Sequence, residues 1–123
     1  MADTADTEGT AGTDRLGISR SVVDGVTVVT VTGEIDHHTS GLLRHALAPE
    51  DPSQAARTVA DFAGVDFMDS SGINALIAAH QAHGATGRLS LAGVRRPVLR
   101  TLELVGLTTL IDCYPSVREA MEA

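Results

Sequence analysis

The chain has 123 residues and a mass of 12.8 kDa, room for one packed core but too little for two domains of ordinary size. Its formal net charge is −7, with nine Arg, no Lys and no basic cluster larger than Arg95-Arg96, so the long-range field repels phosphate backbones. There is no Trp, one Tyr (Tyr114) and only two Phe (Phe62 and Phe67), so base stacking is disfavoured too and the core must be aliphatic.

No apolar run reaches the roughly 18 residues that span a bilayer, and the start MADTADTEGTAG lacks the basic end and apolar stretch of a signal peptide, so a cytoplasmic protein is expected. Residues 1–13 alternate small, Thr and acidic residues without apolar periodicity, which predicts a solvated, disordered acidic tail ahead of a single domain over 14–123. From Leu16 the run LGISRSVVDGVTVVTVTGEI reads as two strands joined by Asp24-Gly25, a dipeptide suited to the positive φ angles of a tight hairpin turn. Thr39 or Ser40 then caps a short helix through Leu47, with Leu42, Leu43 and Ala46 on one face, before the breaker-rich PEDPS.

Strand, turn and helix follow within the next stretch: RTVAD over Arg57 to Asp61, the turn DSSG, and a helix with Ile73, Leu76, Ile77 and His80 along one stripe, ending near Gly84. The alternation repeats as strand RLSLA, helix PVLRTLELV with Pro97 in its first turn and Gly106 past its end, strand LIDCY, and a short helix after Pro115. Such alternation predicts an α/β fold with a mixed, mainly parallel sheet opened by a β-hairpin and about four helices. Any site then lies at the carboxyl ends of the strands, where both GEIDHHTS and DFMDSSG fall.

In DFMDSSG an acidic residue and two adjacent hydroxyls stand where a strand hands over to a helix. The simplest reading makes Ser70 or Ser71 the helix cap, with Gly72 easing the turn. A phosphate on Ser70 would also sit at the positive end of the helix dipole near free backbone N–H groups, while Asp69 beside it would repel the added charge, a combination suited to a switch.

DFMDSSG resembles the phosphorylation motif of bacterial STAS-domain anti-sigma factor antagonists, and GEIDHHTS resembles a second segment of that family; the similarity runs from about Leu16 to Met121. Carried over by motif position, the resemblance makes Ser70 the phosphoacceptor, has Ser71 and Gly72 shape the turn, and sets Asp36 beside it on the neighbouring loop. Asp36, Asp69, Ser71, Gly72 and Asn74 are the expected partner-binding residues. Where the commonest family pattern has a second Gly after the first apolar residue, this chain has INAL, which makes Asn74 a candidate for adjusting partner choice. The resemblance implies a partner-switching cycle. The unmodified protein binds an anti-sigma factor that is also a serine kinase and supplies the ATP, a sigma factor is released, phosphorylation ends the binding, and a separate serine phosphatase restores it.

The chain itself is expected to be no enzyme and to need no cofactor. Without Lys there is no P-loop GK[ST] element, and G-x-S-x-G is absent, which speaks against a small serine hydrolase. Asp36, His37, His38 and His45 make a weak metal set, because adjacent His residues on an extended segment point apart and no Cys completes the ligands. His80 and His83 read as surface or boundary residues. Cys113, the single cysteine, reads as a small core residue. The alternative within the fold is a STAS accessory subunit of a lipid transporter or sensory complex that is not phosphorylated.

Overall fold

The computed structural model of the chain describes residues 7–12, 15–51 and 55–123. One six-stranded sheet runs in sequence order, β1(Thr7–Gly12), β2(Leu16–Val23), β3(Val26–Ile35), β4(Arg57–Met68), β5(Arg88–Ala92) and β6(Asp112–Tyr114). Strand β2 is antiparallel to its neighbours β1 and β3, and β3 to β6 are parallel. The helices α1(Ser40–Leu47), α2(Ser70–His83), α3(Arg96–Leu104) and α4(Val117–Glu122) follow β3, β4, β5 and β6 in turn, with a 3-10 turn over Leu107–Thr109 ahead of β6.

The β2–β3 hairpin turns on Asp24 (φ 51°) and Gly25 (φ 80°), the two positive φ angles that a type I′ turn needs and that the Asp-Gly pair predicts. The tail was expected to be solvated through residue 13, yet over Thr7–Gly12 it forms the edge strand β1, from Thr7 opposite Ser21 to Gly12 opposite Gly17. An edge strand needs only backbone groups to pair with a neighbour already formed, so the missing apolar periodicity did not exclude it. Residues 1–6 and 13–14 of the expected tail lie outside the described residues.

Helices α1, α2 and α3 lay their apolar stripes over one face of the sheet. Leu43 and Leu47, Ile73 and Leu76, and Val98 and Leu102 meet Val29, Val31, Ile35, Phe62 and Leu91 there. A smaller cluster on the other face joins Val26, Val59 and Ala92 to Ala120 of α4. Arg57 fastens that helix by donating from Nη2 to the carbonyls of Ala120 and Met121 at 2.7 and 3.2 Å. The buried stripe of α2 runs through Gly72, Ala75, Leu76, Ala79 and His83, leaving Ile77 and His80 at its margin.

Strand β4 is longer than the expected Arg57 to Asp61 because it crosses two bulges. Asp61 pairs with Thr30 but Gly64 with Thr32, and Val65 pairs with Gly33 but Phe67 with Glu34, so one extra residue enters β4 at each place. The second bulge puts Asp66 out of the ladder and switches which side chains face inward. Val65 and Met68 are buried while Phe67, between them, is half exposed. Strict alternation from Val65 would have placed Phe67 inside and Met68 outside. Leaving a phenyl ring half in water forgoes part of the roughly 1.5–3 kcal/mol that its full burial contributes.

At Gly33 the β2–β3 pair comes together so closely that a side chain has no room. Its φ is +102° and a Cβ would overlap the carbonyl oxygen of Arg15, which accepts a hydrogen bond from the Glu34 N–H at 2.7 Å. Gly33→Ala is therefore expected to cost about 2 kcal/mol or more, through both the left-handed backbone and the overlap. Chemical denaturation of the two proteins checks this; an unchanged midpoint contradicts it.

Candidate functional site

Ile35 and Met68 are register partners, so β3 and β4 end side by side and deliver the next residues, Asp36 and Asp69, to the same edge of the sheet. The Asp69 N–H extends the ladder by donating to the Ile35 carbonyl at 3.1 Å. The two sequence motifs thus meet at the carboxyl ends of adjacent parallel strands.

On the first loop the Asp36 carboxylate is consumed by the turn that precedes α1. Its Oδ1 accepts from the backbone N–H groups of His38 (2.9 Å) and Thr39 (3.1 Å), and Oδ2 is paired with Arg15. The Asp36 N–H in turn donates to Thr39 Oγ1 at 2.9 Å, and that hydroxyl donates to the Glu34 carbonyl at 3.1 Å. Thr39 stands at the cap position of α1 but its side chain caps no helical N–H, contrary to the expectation for Thr39 or Ser40. The cause is competition: the hydroxyl already serves the reciprocal turn with Asp36. Asp36 is only 9% exposed, so it holds the loop from within and offers little carboxylate surface.

On the second loop the cap is neither serine. Asp69 has extended backbone and its Oδ1 accepts from the Ser71 N–H at 2.8 Å, which makes Asp69 the N-cap and Ser70 the first helical residue. A carboxylate at this position meets the helix dipole better than a neutral hydroxyl does, which accounts for the exchange. The consequence is that the Ser70 hydroxyl is exposed and makes no hydrogen bond among the described residues. Ser71 is half-buried and Gly72 buried. A Cβ on Gly72 would overlap Met68 and come within 3.0 Å of Ile35 Cγ2, so glycine lets the first turn of α2 rest on the strand ends.

Asn74 is exposed one turn further along α2. With Ser71 it lines an open cleft of about 330 Å³ between α1 and α2, opposite His37, Ser40 and Arg44. Arg44 escaped the sequence reading. It lies four residues after Ser40 on the solvent side of α1, and only the packing of α1 against α2 brings it to this place. Its guanidinium has no carboxylate partner among the described residues.

The histidines fall differently from expectation in two respects. His37 and His38 do not point apart: the chain turns at Asp36, and their rings lie 3.9 Å apart, centroid to centroid. No group of three or more His, Cys, Asp or Glu side chains able to hold a metal ion occurs among the described residues. His83 is buried rather than at the surface, and its Nε2–H donates to the Leu47 carbonyl at 2.9 Å, tying the end of α2 to the end of α1. Cys113 is half-buried, and burial, then Asp112 and Glu103, push its thiol above the ordinary range and keep it protonated.

A mixed sheet with helices following its parallel strands, and two signature loops at neighbouring strand ends, defines an α/β domain. Residues 18–120 match the family model described as STAS domain, and the chain belongs to that family. Over 99 residues it is 29% identical to a protein of Paenibacillus polymyxa named anti-sigma F factor antagonist, covering 79% of this chain and 85% of the relative. The crystal structure of an anti-sigma factor antagonist from Mycobacterium paratuberculosis superposes with a TM-score of 0.76 at 29% identity, covering 91% of this chain and 96% of that one. The Bacillus cell fate determinant SpoIIAA in its phosphorylated form shares the fold at a TM-score of 0.63 and 23% identity, over 85% of this chain and 96% of that one. No helix among the described residues is long and apolar enough to cross a membrane.

The division of labour between Asp69 and Ser70 separates two substitutions that a sequence alone would treat alike. Asp69→Ala is expected to lose about 0.5–2 kcal/mol with the cap, whereas Ser70→Ala stays within about 0.5 kcal/mol of the unsubstituted protein. Urea denaturation measures both; equal losses at the two positions would contradict the assignment of the cap.

Proposed function

We propose that this protein is an anti-sigma factor antagonist whose unmodified form binds a serine-kinase anti-sigma factor and frees a sigma factor, and which phosphorylation of Ser70 inactivates. The observation that carries the reading is the Ser70 hydroxyl itself: exposed, first in its helix, and spared any structural duty because Asp69 supplies the cap. The names of the relatives, anti-sigma factor antagonists at 29% identity, support the same assignment.

In this proposal Asp36, Asp69, Ser71, Gly72 and Asn74 shape the partner face, each in a different way. Asp36 and Gly72 act from below, fixing the first loop and the first turn of α2; Ser71 and Asn74 reach the surface of the α1–α2 cleft. The partner kinase supplies ATP, a separate serine phosphatase removes the phosphate, and the chain catalyses neither step. The cycle takes place in the cytoplasm.

Phosphorylation adds about −1.5 to −2 charge at the positive end of the α2 dipole, so the helix tolerates the group. Asp69 is already at that end, and the protein is acidic overall. The added charge and bulk therefore act chiefly against the partner, by blocking the face rather than refolding the domain.

Incubation with the kinase partner and ATP should add about 80 Da, the mass of one phosphoryl group, to the intact protein, and phosphatase should remove it. The modified peptide should contain Ser70 as the acceptor, and Ser70→Ala should bind the partner without being modified. Mapping of the phosphate to Ser71 overturns the proposal, as does a Ser70→Ala protein that stays folded but no longer binds. Amide shifts on phosphorylation should be confined to the segments around Asp36 and Ser70; shifts extending to α3 and β6 would instead require a conformational switch.

A further inference from the structure

We infer that Phe67 is the apolar anchor of the partner face and inserts into an apolar pocket rimmed by cationic side chains on the anti-sigma factor, an inference that rests on the function proposed above. The observation is the second bulge of β4. It exchanges Met68 for Phe67 in the core, leaving an aromatic ring 50% exposed three residues before Ser70. Bulges commonly re-aim one side chain beside a site, and here the re-aimed side chain is the only exposed Phe, Tyr or Trp among the described residues.

The outward position is held by a dedicated contact. Arg95, the residue before α3, donates from Nε to the Ala63 carbonyl and from Nη1 to Asp66 Oδ1, both at 2.8 Å. Ala63 and Asp66 lie in the two bulged stretches of β4, so one guanidinium clamps both irregularities. Arg95 is thus a positioning residue for Phe67. A single exposed apolar residue is ordinary on a protein surface. One that a paired bulge and an arginine clamp hold out of the core, beside the proposed switch, has a use there.

The surroundings indicate what the ring would meet. Glu34 is its register partner, Asp66 precedes it and Asp69 follows two residues later, three carboxylates against the two guanidinium groups of Arg15 and Arg95. A ring inside an acidic margin complements an apolar pocket with a basic rim, the arrangement in which a buried aromatic dominates binding while charged rims steer approach. Of the other exposed large apolar side chains, Leu104, Val105 and Leu110 lie near the carboxyl end of α3 and Val22 and Val23 at the end of β2, whereas Ser70 begins α2 at the carboxyl end of β4.

The test uses the full chain and the purified anti-sigma factor that phosphorylates Ser70, loaded with ADP, with affinity measured by calorimetry. Phe67→Ala should bind at least tenfold more weakly with a thermal midpoint close to the unsubstituted one, and Phe67→Leu should recover most of the loss. The salt dependence of the residual binding should be unchanged, since the charged margin is intact. Leu104→Ala, which removes an 81% exposed side chain elsewhere, should bind as the unsubstituted protein does. Equal affinity for Phe67→Ala overturns the inference, and so does a loss that Leu104→Ala shares. If the unsubstituted chain neither binds the anti-sigma factor nor is phosphorylated by it, the proposed function fails first and the inference falls with it.

Discussion

The parallel pairing of β3 with β4 is the constraint on which the rest of the molecule depends. Both strands are buried on two sides in their first halves: Val29, Val31, Ala60 and Phe62 belong to the main cluster, and Val26 and Val59 to the smaller one with Ala120 of α4. Two-sided burial fixes register, because a slip of one residue would exchange the contents of the two clusters. Parallel pairing then brings both carboxyl ends to one edge, where Ile35 and Met68 finish opposite each other. The bulges add two residues to β4 over the paired length, yet the strands still finish in step and the Asp36 and Asp69 loops emerge as neighbours.

The sequence made part of this arrangement legible. Asp24-Gly25, Pro97, Gly106 and the strand-helix alternation act through local backbone preferences, and those marks correspond to the hairpin turn, the start and end of α3 and the parallel half of the sheet. What stayed hidden was settled by contacts between segments far apart in the chain. The bulges of β4 show only when its partner β3 and the clamp from Arg95 are present, so nothing in the sequence marked Phe67 as an exposed ring. His83 read as a surface or boundary residue, and only the Leu47 carbonyl, 36 residues away in the chain, gives it a buried partner. Strand β1 pairs through its backbone and has no apolar signature to find.

Within the candidate site the legible and hidden parts divide in the same way. The pairing of DFMDSSG with GEIDHHTS follows from strand order, and the two motifs do converge. Which side chain caps α2 does not follow from order, because Asp69, Ser70 and Ser71 are all competent caps. The choice of Asp69 depends on where the strand ends: the Asp69 N–H still belongs to the ladder through Ile35, so its backbone is extended, as an N-cap requires, and the next residue is already helical.

That detail links strand pairing to the chemistry proposed for Ser70. Were the strand to end one residue later, Ser70 would take the cap position and its oxygen would accept a helix N–H, leaving it a poorer target for phosphoryl transfer and tying its modification to the loss of a cap. With Asp69 as the cap, the hydroxyl can be esterified while Ser71 N–H keeps its bond to Asp69 Oδ1. The first loop is stiff for a matching reason, since Asp36 has two backbone N–H donors and Arg15 on its carboxylate and is nearly enclosed. A phosphate arriving between two loops that are each already satisfied has no structural bond to displace. Its charge would therefore be directed outward, and the same register that makes the Ser70 hydroxyl available would make the proposed modification an event of the surface.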